Sequence, residues 1–151
     1  MKTIKILLTA MIISLSFLMG SVYAQEDIEA QWEKNVQQLG AHDEFVTSQL
    51  GETRTGVVYF AKCPLKDFKI LSLKLEKFED KPVFLAQTLY TKEVLNPERP
   101  LLVKLCLYGS VPNNGFSYTD SEGKTRYYAI NASGKDGSLL LIDKIIIKQE
   151  H

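Results

Sequence analysis

Cysteine and histidine are scarce in this chain of 151 residues, which holds two of each. One histidine, His151, is the last residue, so only His42 lies within the sequence. A structural zinc site takes four closely spaced nitrogen or sulfur ligands, and residues at 42, 63, 106 and 151 do not have that spacing. No metal is expected. Excess charge is missing too, with 18 Lys and Arg against 18 Asp and Glu. Without a cluster of Lys and Arg there is no nucleic-acid footprint, and no basic amphipathic stretch suits a membrane surface. The chain also lacks a phosphate-binding glycine loop and a dinucleotide fingerprint, so no cofactor is expected. Gly115-Phe-Ser-Tyr-Thr119 has the first glycine and the serine of a nucleophile elbow but not the closing glycine. Repeats and low-complexity segments are absent.

Long apolar runs are absent except at the start. Ile6–Met19 is interrupted only by Thr9, Ser14 and Ser16, and follows Lys2 and Lys5. Gly20-Ser-Val-Tyr-Ala24 then offers small residues at the two positions a signal peptidase reads. Met1–Ala24 therefore reads as a cleavable signal peptide, too short in its apolar part for a span of about 20 residues. Gln25–His151 is expected to be one exported domain, periplasmic or secreted, without stable membrane insertion after cleavage. Losing Lys2 and Lys5 takes the 18 basic residues to 16 against 18 acidic, a formal charge of −2.

Export changes the reading of the cysteines. In an oxidising compartment Cys63 and Cys106 are expected to form a disulfide. Closing a loop of roughly forty residues would contribute about 4 kcal/mol on the chain-entropy estimate. Two buried free thiols are the alternative.

Along the mature chain, Ile28, Trp32, Val36 and Leu39 recur at helical spacing and Gly40 follows, which predicts a helix over Asp27–Leu39. Trp32 on that stripe is a core anchor. Asp43–Leu50 is a second short helix or a linker. Strand patterns then take over. Gly56–Cys63 is apolar on both faces, and Pro64 stops it. Phe68–Phe78 alternates Leu71, Leu73 and Leu75 with polar residues, and Val83–Tyr90 returns from a turn at Glu79–Pro82. Thr91–Pro100 is a break containing Asn96-Pro97 and Arg99-Pro100. Leu101–Gly109 is the clearest strand. Phe116–Thr119 and Thr125–Asn131 form a hairpin, and Ser138–Lys148 is a last strand interrupted at Asp143-Lys144. The expected fold class is α+β: an N-terminal helix, with or without a second, packed on a mostly antiparallel sheet, sandwich or barrel of six or seven strands.

Catalytic constellations do not stand out. His42-Asp43 is a solvated pair between helical segments. Asp120-x-Glu122 and Asp136-Gly137 carry oxygens but not the spacing of a calcium loop. Gly109–Gly137 is different, because it gathers five of the nine glycines with Phe116, Tyr118, Arg126, Tyr127 and Tyr128. Aromatic and Arg side chains on a rigid hairpin supply binding energy, so these five are the candidate binding residues. The functional expectation is a small exported binding protein acting by protein–protein recognition, such as an inhibitor or immunity-type protein, on a partner in the envelope or outside the cell. The alternatives are an envelope-assembly or structural accessory factor, or a small hydrolase that uses carboxylates alone. Whether the chain is an enzyme is left open, with a non-catalytic role favoured.

Overall fold

The structure is a computed structural model that describes residues 12–15, 34, 36–47, 54–105, 107, 109–132 and 139–150. Ten strands occupy most of them: β1 (Ile12–Leu15), β2 (Asp43–Val46), β3 (Arg54–Tyr59), β4 (Leu65–Phe78) and β5 (Pro82–Leu95), followed by β6 (Leu101–Leu105), β7 (Asn114–Thr119), β8 (Thr125–Ala132), β9 (Leu139–Ile142) and β10 (Ile146–Gln149). The fold is nearly all β, which corrects the α+β expectation. Helical backbone among the described residues is confined to Lys34 and 36–38, at the end of the expected Asp27–Leu39 helix. Residues 27–33, Trp32 among them, and 35 lie outside the described residues.

The second helix expected from Asp43 is a strand instead. Asp43–Val46 runs parallel to Leu101–Lys104, and Phe45 stacks on Tyr90 with ring centroids 4.8 Å apart. Phe and Val suit a pleated surface, and the β6 edge supplies a ladder that an isolated turn of helix could not match. The break expected over Thr91–Pro100 is shorter than its prolines suggest. β5 continues through Leu95, because Pro97 and Pro100 restrict only the residues next to them.

Two sheets form, of order β1-β3-β6-β2 and β10-β5-β4-β7-β8-β9. The main core lies between them. Val57, Tyr59, Leu101, Val103 and Leu105 face it from the smaller sheet, and Phe68, Ile70, Phe116, Tyr118 and Ile130 from the larger. Alternation along each strand sends the next residues the other way. On the larger sheet these are Leu71, Leu73, Phe84, Ala86 and Ala129, which form a second cluster with Tyr127, Ile142, Ile145 and Ile147.

That second cluster exists because the larger sheet curls onto itself. β9 pairs with β8 on one edge and β10 with β5 on the other, yet only Asp143, Lys144 and Ile145 separate them. A flat sheet of six strands would hold its edges about 24 Å apart. Four residue steps reach about 14 Å at most. The edges must therefore approach, and the interrupted last strand spans the gap. The Ile145 N–H donates to the Asp143 carbonyl at 3.0 Å, making the tight turn at that interruption.

The Cys63–Cys106 bridge is not seen. Cys63 is a free, half-buried thiol against the main core, and Cys106 lies outside the described residues.

Candidate interaction site

The β7–β8 hairpin forms where the sequence places it. Phe116 lies directly opposite Tyr128, and Tyr118 opposite Arg126. Gly123 closes the turn with a φ of +79°, a backbone region costly for side-chain-bearing residues. Asp120 locks it: Oδ1 accepts from the N–H groups of Glu122 and Lys124, each at 2.9 Å. Oδ2 accepts from Arg126 Nε at 2.8 Å. These bonds, with the Lys124 N–H contributing most, hold the Asp120 carboxyl below its ordinary range. Asp120 is thus a turn brace with its oxygens taken, not a cation ligand held in reserve.

The five candidate binding residues do not make one surface. Phe116 and Tyr118 are buried in the main core, beneath the smaller sheet. Phe116 stacks on Tyr128 at 5.1 Å and meets Tyr59 edge-on at 5.3 Å. Burial, with Tyr128 beside it, pushes the Tyr118 phenol up. Tyr127 and Tyr128 point to opposite faces, but both faces are covered, so each packs against a core cluster. Arg126 alone is at the surface, ion-paired with Asp120. Sequence alternation separates the faces correctly; the main core takes Phe116, Tyr118 and Tyr128, and the second covered face takes Tyr127.

A second charged group forms around Asp43. Its carboxylate accepts hydrogen bonds from Lys92 and from Arg99 Nε, the latter at 2.8 Å. Both lower its affinity for protons, with Lys92 the larger cause. A carboxylate saturated by two cations is neither a proton donor nor a free base. It ties β2 to β5 and to the β5–β6 connection. His42 lies in the loop before β2 and donates from Nδ1 to the Gly40 carbonyl at 2.8 Å. No group of three potential metal ligands occurs among the described residues, and none of their helices is long and apolar enough to cross a membrane.

The surface that stands out lies elsewhere, at the tip of the β4–β5 hairpin. Each strand has 14 residues, but β7 accompanies β4 only over Lys66–Ser72, with one further bond from the Leu73 N–H to the Asn113 carbonyl at 3.0 Å. Beyond that, among the described residues, Lys74–Phe78 has β5 as its only strand neighbour. An apolar ladder runs out along this strand: Leu71 is 1% exposed, Leu73 5%, Leu75 37% and Phe78 72%. Phe78 lies opposite Pro82 and Leu75 opposite Phe84. Charge rings the tip. Lys77 pairs with Glu79 at 2.6 Å, and Lys148 with Glu76 at 3.1 Å. An apolar centre with a charged rim is the composition of a recognition patch. Sequence reasoning read Leu75 correctly as one face of the strand but assigned Phe78 no role. A large aromatic beside the Glu79–Pro82 turn was the available signal.

Comparison with protein-family models, with curated proteins and with solved structures found no match to this chain.

Proposed function

We propose that the protein is a small exported binding protein acting by protein–protein recognition, of the inhibitor or immunity type, through the tip of the β4–β5 hairpin. The ladder Leu71-Leu73-Leu75 carries this reading, since it continues the second core outward to Leu75 and the exposed Phe78. Surface Phe in contact with a rigid strand pair offers apolar area at little entropic cost. A flanking open strand edge adds backbone groups that a partner can pair. The partner belongs to the envelope or the extracellular space, as the N-terminal signal implies.

Capture tests it. The exported protein is immobilised, exposed to envelope and secreted extracts, and its bound species are identified by mass spectrometry. One stoichiometric protein partner is expected. Phe78→Ser should abolish that capture while changing stability by no more than about 0.5 kcal/mol, and Leu75→Ser should abolish it at a stability cost of about 1–2 kcal/mol. Undiminished capture by both variants would remove the hairpin tip as the site. Turnover of a substrate by the purified protein, lost on one Asp or Glu substitution, would replace the binding reading with the hydrolase.

A further inference from the structure

β3 has two strand neighbours of different origin. On one side β6 follows it in unbroken register from Thr55 opposite Leu105 to Tyr59 opposite Leu101. On the other, β1 runs antiparallel, with Ile12 opposite Val57, Ile13 opposite Gly56, Ser14 opposite Thr55 and Leu15 opposite Arg54. β1 lies wholly within the segment the sequence marks for removal after Ala24. Cleavage there takes away the strand and leaves β3 with no outer strand neighbour over Arg54–Val57 among the described residues.

An open edge of this kind is unprotected. Arg54-Thr-Gly-Val-Val-Tyr59 has no proline, and its one charged residue is at the start. Its register shows no bulge, and those are the devices that ordinarily blunt a sheet edge. Gly56, in the middle, contributes no side chain to shield the backbone. Val57 behind the edge is part of the main core, so a strand added here extends a packed sheet rather than a loose one.

We propose that the β3 edge of the exported protein is a strand-acceptor site, filled by an extended apolar segment of a partner protein that runs antiparallel to β3. The seat of β1 defines the chemistry. Ile-Ile-Ser-Leu is uncharged, free of proline and glycine, and rich in β-branched residues, and its backbone completes four rungs. Main-chain bonds provide the affinity in such strand addition, and alternate side chains the selectivity. The inference rests on removal of the signal and is separate from the β4–β5 tip.

The test starts with the full chain produced with its own leader in an exporting bacterial host and recovered from the periplasm. Intact mass gives the N-terminus, expected at Gln25. Amide exchange is then followed over Arg54–Val57, with and without a lysine-flanked synthetic peptide spanning Thr9–Leu18. Exchange of the outward amides should be fast in the exported protein, and should slow about tenfold at a peptide concentration ten times Kd. The same peptide carrying Ile13→Pro, which removes a donor from the ladder, should give no protection. Absence of protection up to about 1 mM peptide overturns the proposal. Amides already protected without peptide, together with a dimer in sedimentation, overturn it in favour of a second copy at this edge. An intact mass retaining Met1–Ala24 overturns the export reading itself, and the vacated edge with it.

Discussion

Ile142 and Ile146 are four positions apart in the chain and belong to opposite edges of the six-stranded sheet, Ile142 facing Ala129 on β8 and Ile146 facing Val83 on β5. This relationship turns a sheet with two edges into one that curls around a second core. It also makes the length of the Asp143–Ile145 connection a structural constraint. Deleting Lys144 shifts β10 by one residue, and a shift of one inverts the faces of a strand. Ile147 would leave the second core, at an expected cost of about 2–3 kcal/mol. Urea unfolding measures it, with Lys144→Ala as the control, expected within about 0.5 kcal/mol of the parent.

Tyr59 lies fully buried between Phe68 and Phe116, with ring centroids at 5.4 and 5.3 Å, and its hydroxyl finds no hydrogen-bond partner among the described residues. An unpartnered buried hydroxyl forfeits its hydration without return. Tyr59→Phe should therefore stabilise the fold by about 1 kcal/mol. Burial also raises the phenol above its ordinary value of 10.0. In the unfolded chain it ionises near pH 10 while the folded chain keeps its proton, so stability falls as pH rises past 10. The Phe variant should show a shallower decline in alkaline unfolding curves.

Asp43 gives the opposite pH dependence. Lys92 and Arg99 hold its carboxyl below the ordinary value of 3.8. Its ion pairs therefore stabilise the fold fully above that value, and the contribution is lost as pH falls through the lowered one. Asp43→Asn should cost on the order of 1 kcal/mol at pH 7, the pair being only partly buried. The gap between variant and parent should close in acid. Thermal unfolding from pH 7 to pH 2 checks both statements; a gap that persists undiminished at pH 2 would refute the electrostatic account.

Gly115 is required by proximity, not by turn geometry. A Cβ at this position would lie 2.4 Å from the Tyr128 carbonyl oxygen and 2.9 Å from Leu73 Cδ1. The carbonyl is backbone within the β7–β8 ladder and cannot swing aside. Gly115→Ala should destabilise by about 2 kcal/mol, the usual range for overpacking. Calorimetry of this variant beside Gly109→Ala separates a packing clash from backbone strain. Among the described residues nothing lies within 4 Å of a Cβ at Gly109, whose φ is +77°, so a loss there is read as conformational.

Much of the strand pattern was legible in the sequence. Leu101–Leu105, the β7–β8 hairpin with its turn at Asp120–Lys124, and the interruption at Asp143-Lys144 follow from alternation and turn chemistry, which act over a few residues. Alternation also separated Tyr127 from Tyr128. It could not say that both faces of their sheet are covered, because covering depends on β3 and β6, far away in the chain, and on the path taken by β9 and β10. Phe116 and Tyr118 therefore read as surface candidates and are core. Asp43 presented the same difficulty, since its partners Lys92 and Arg99 lie about fifty residues on.

The sequence alone determined roughly where β3 to β8 lie and which of their side chains share a face, because those properties are local. The tertiary structure decided the rest: that the large sheet curls so that β9 and β10 approach, that residues around Asp43 form a strand and not a helix, and that Phe78 is, among the described residues, the aromatic left in solvent. Each of these depends on which distant strand supplies the next ladder of hydrogen bonds, a choice made by the packing of the whole chain and invisible in any single stretch of it.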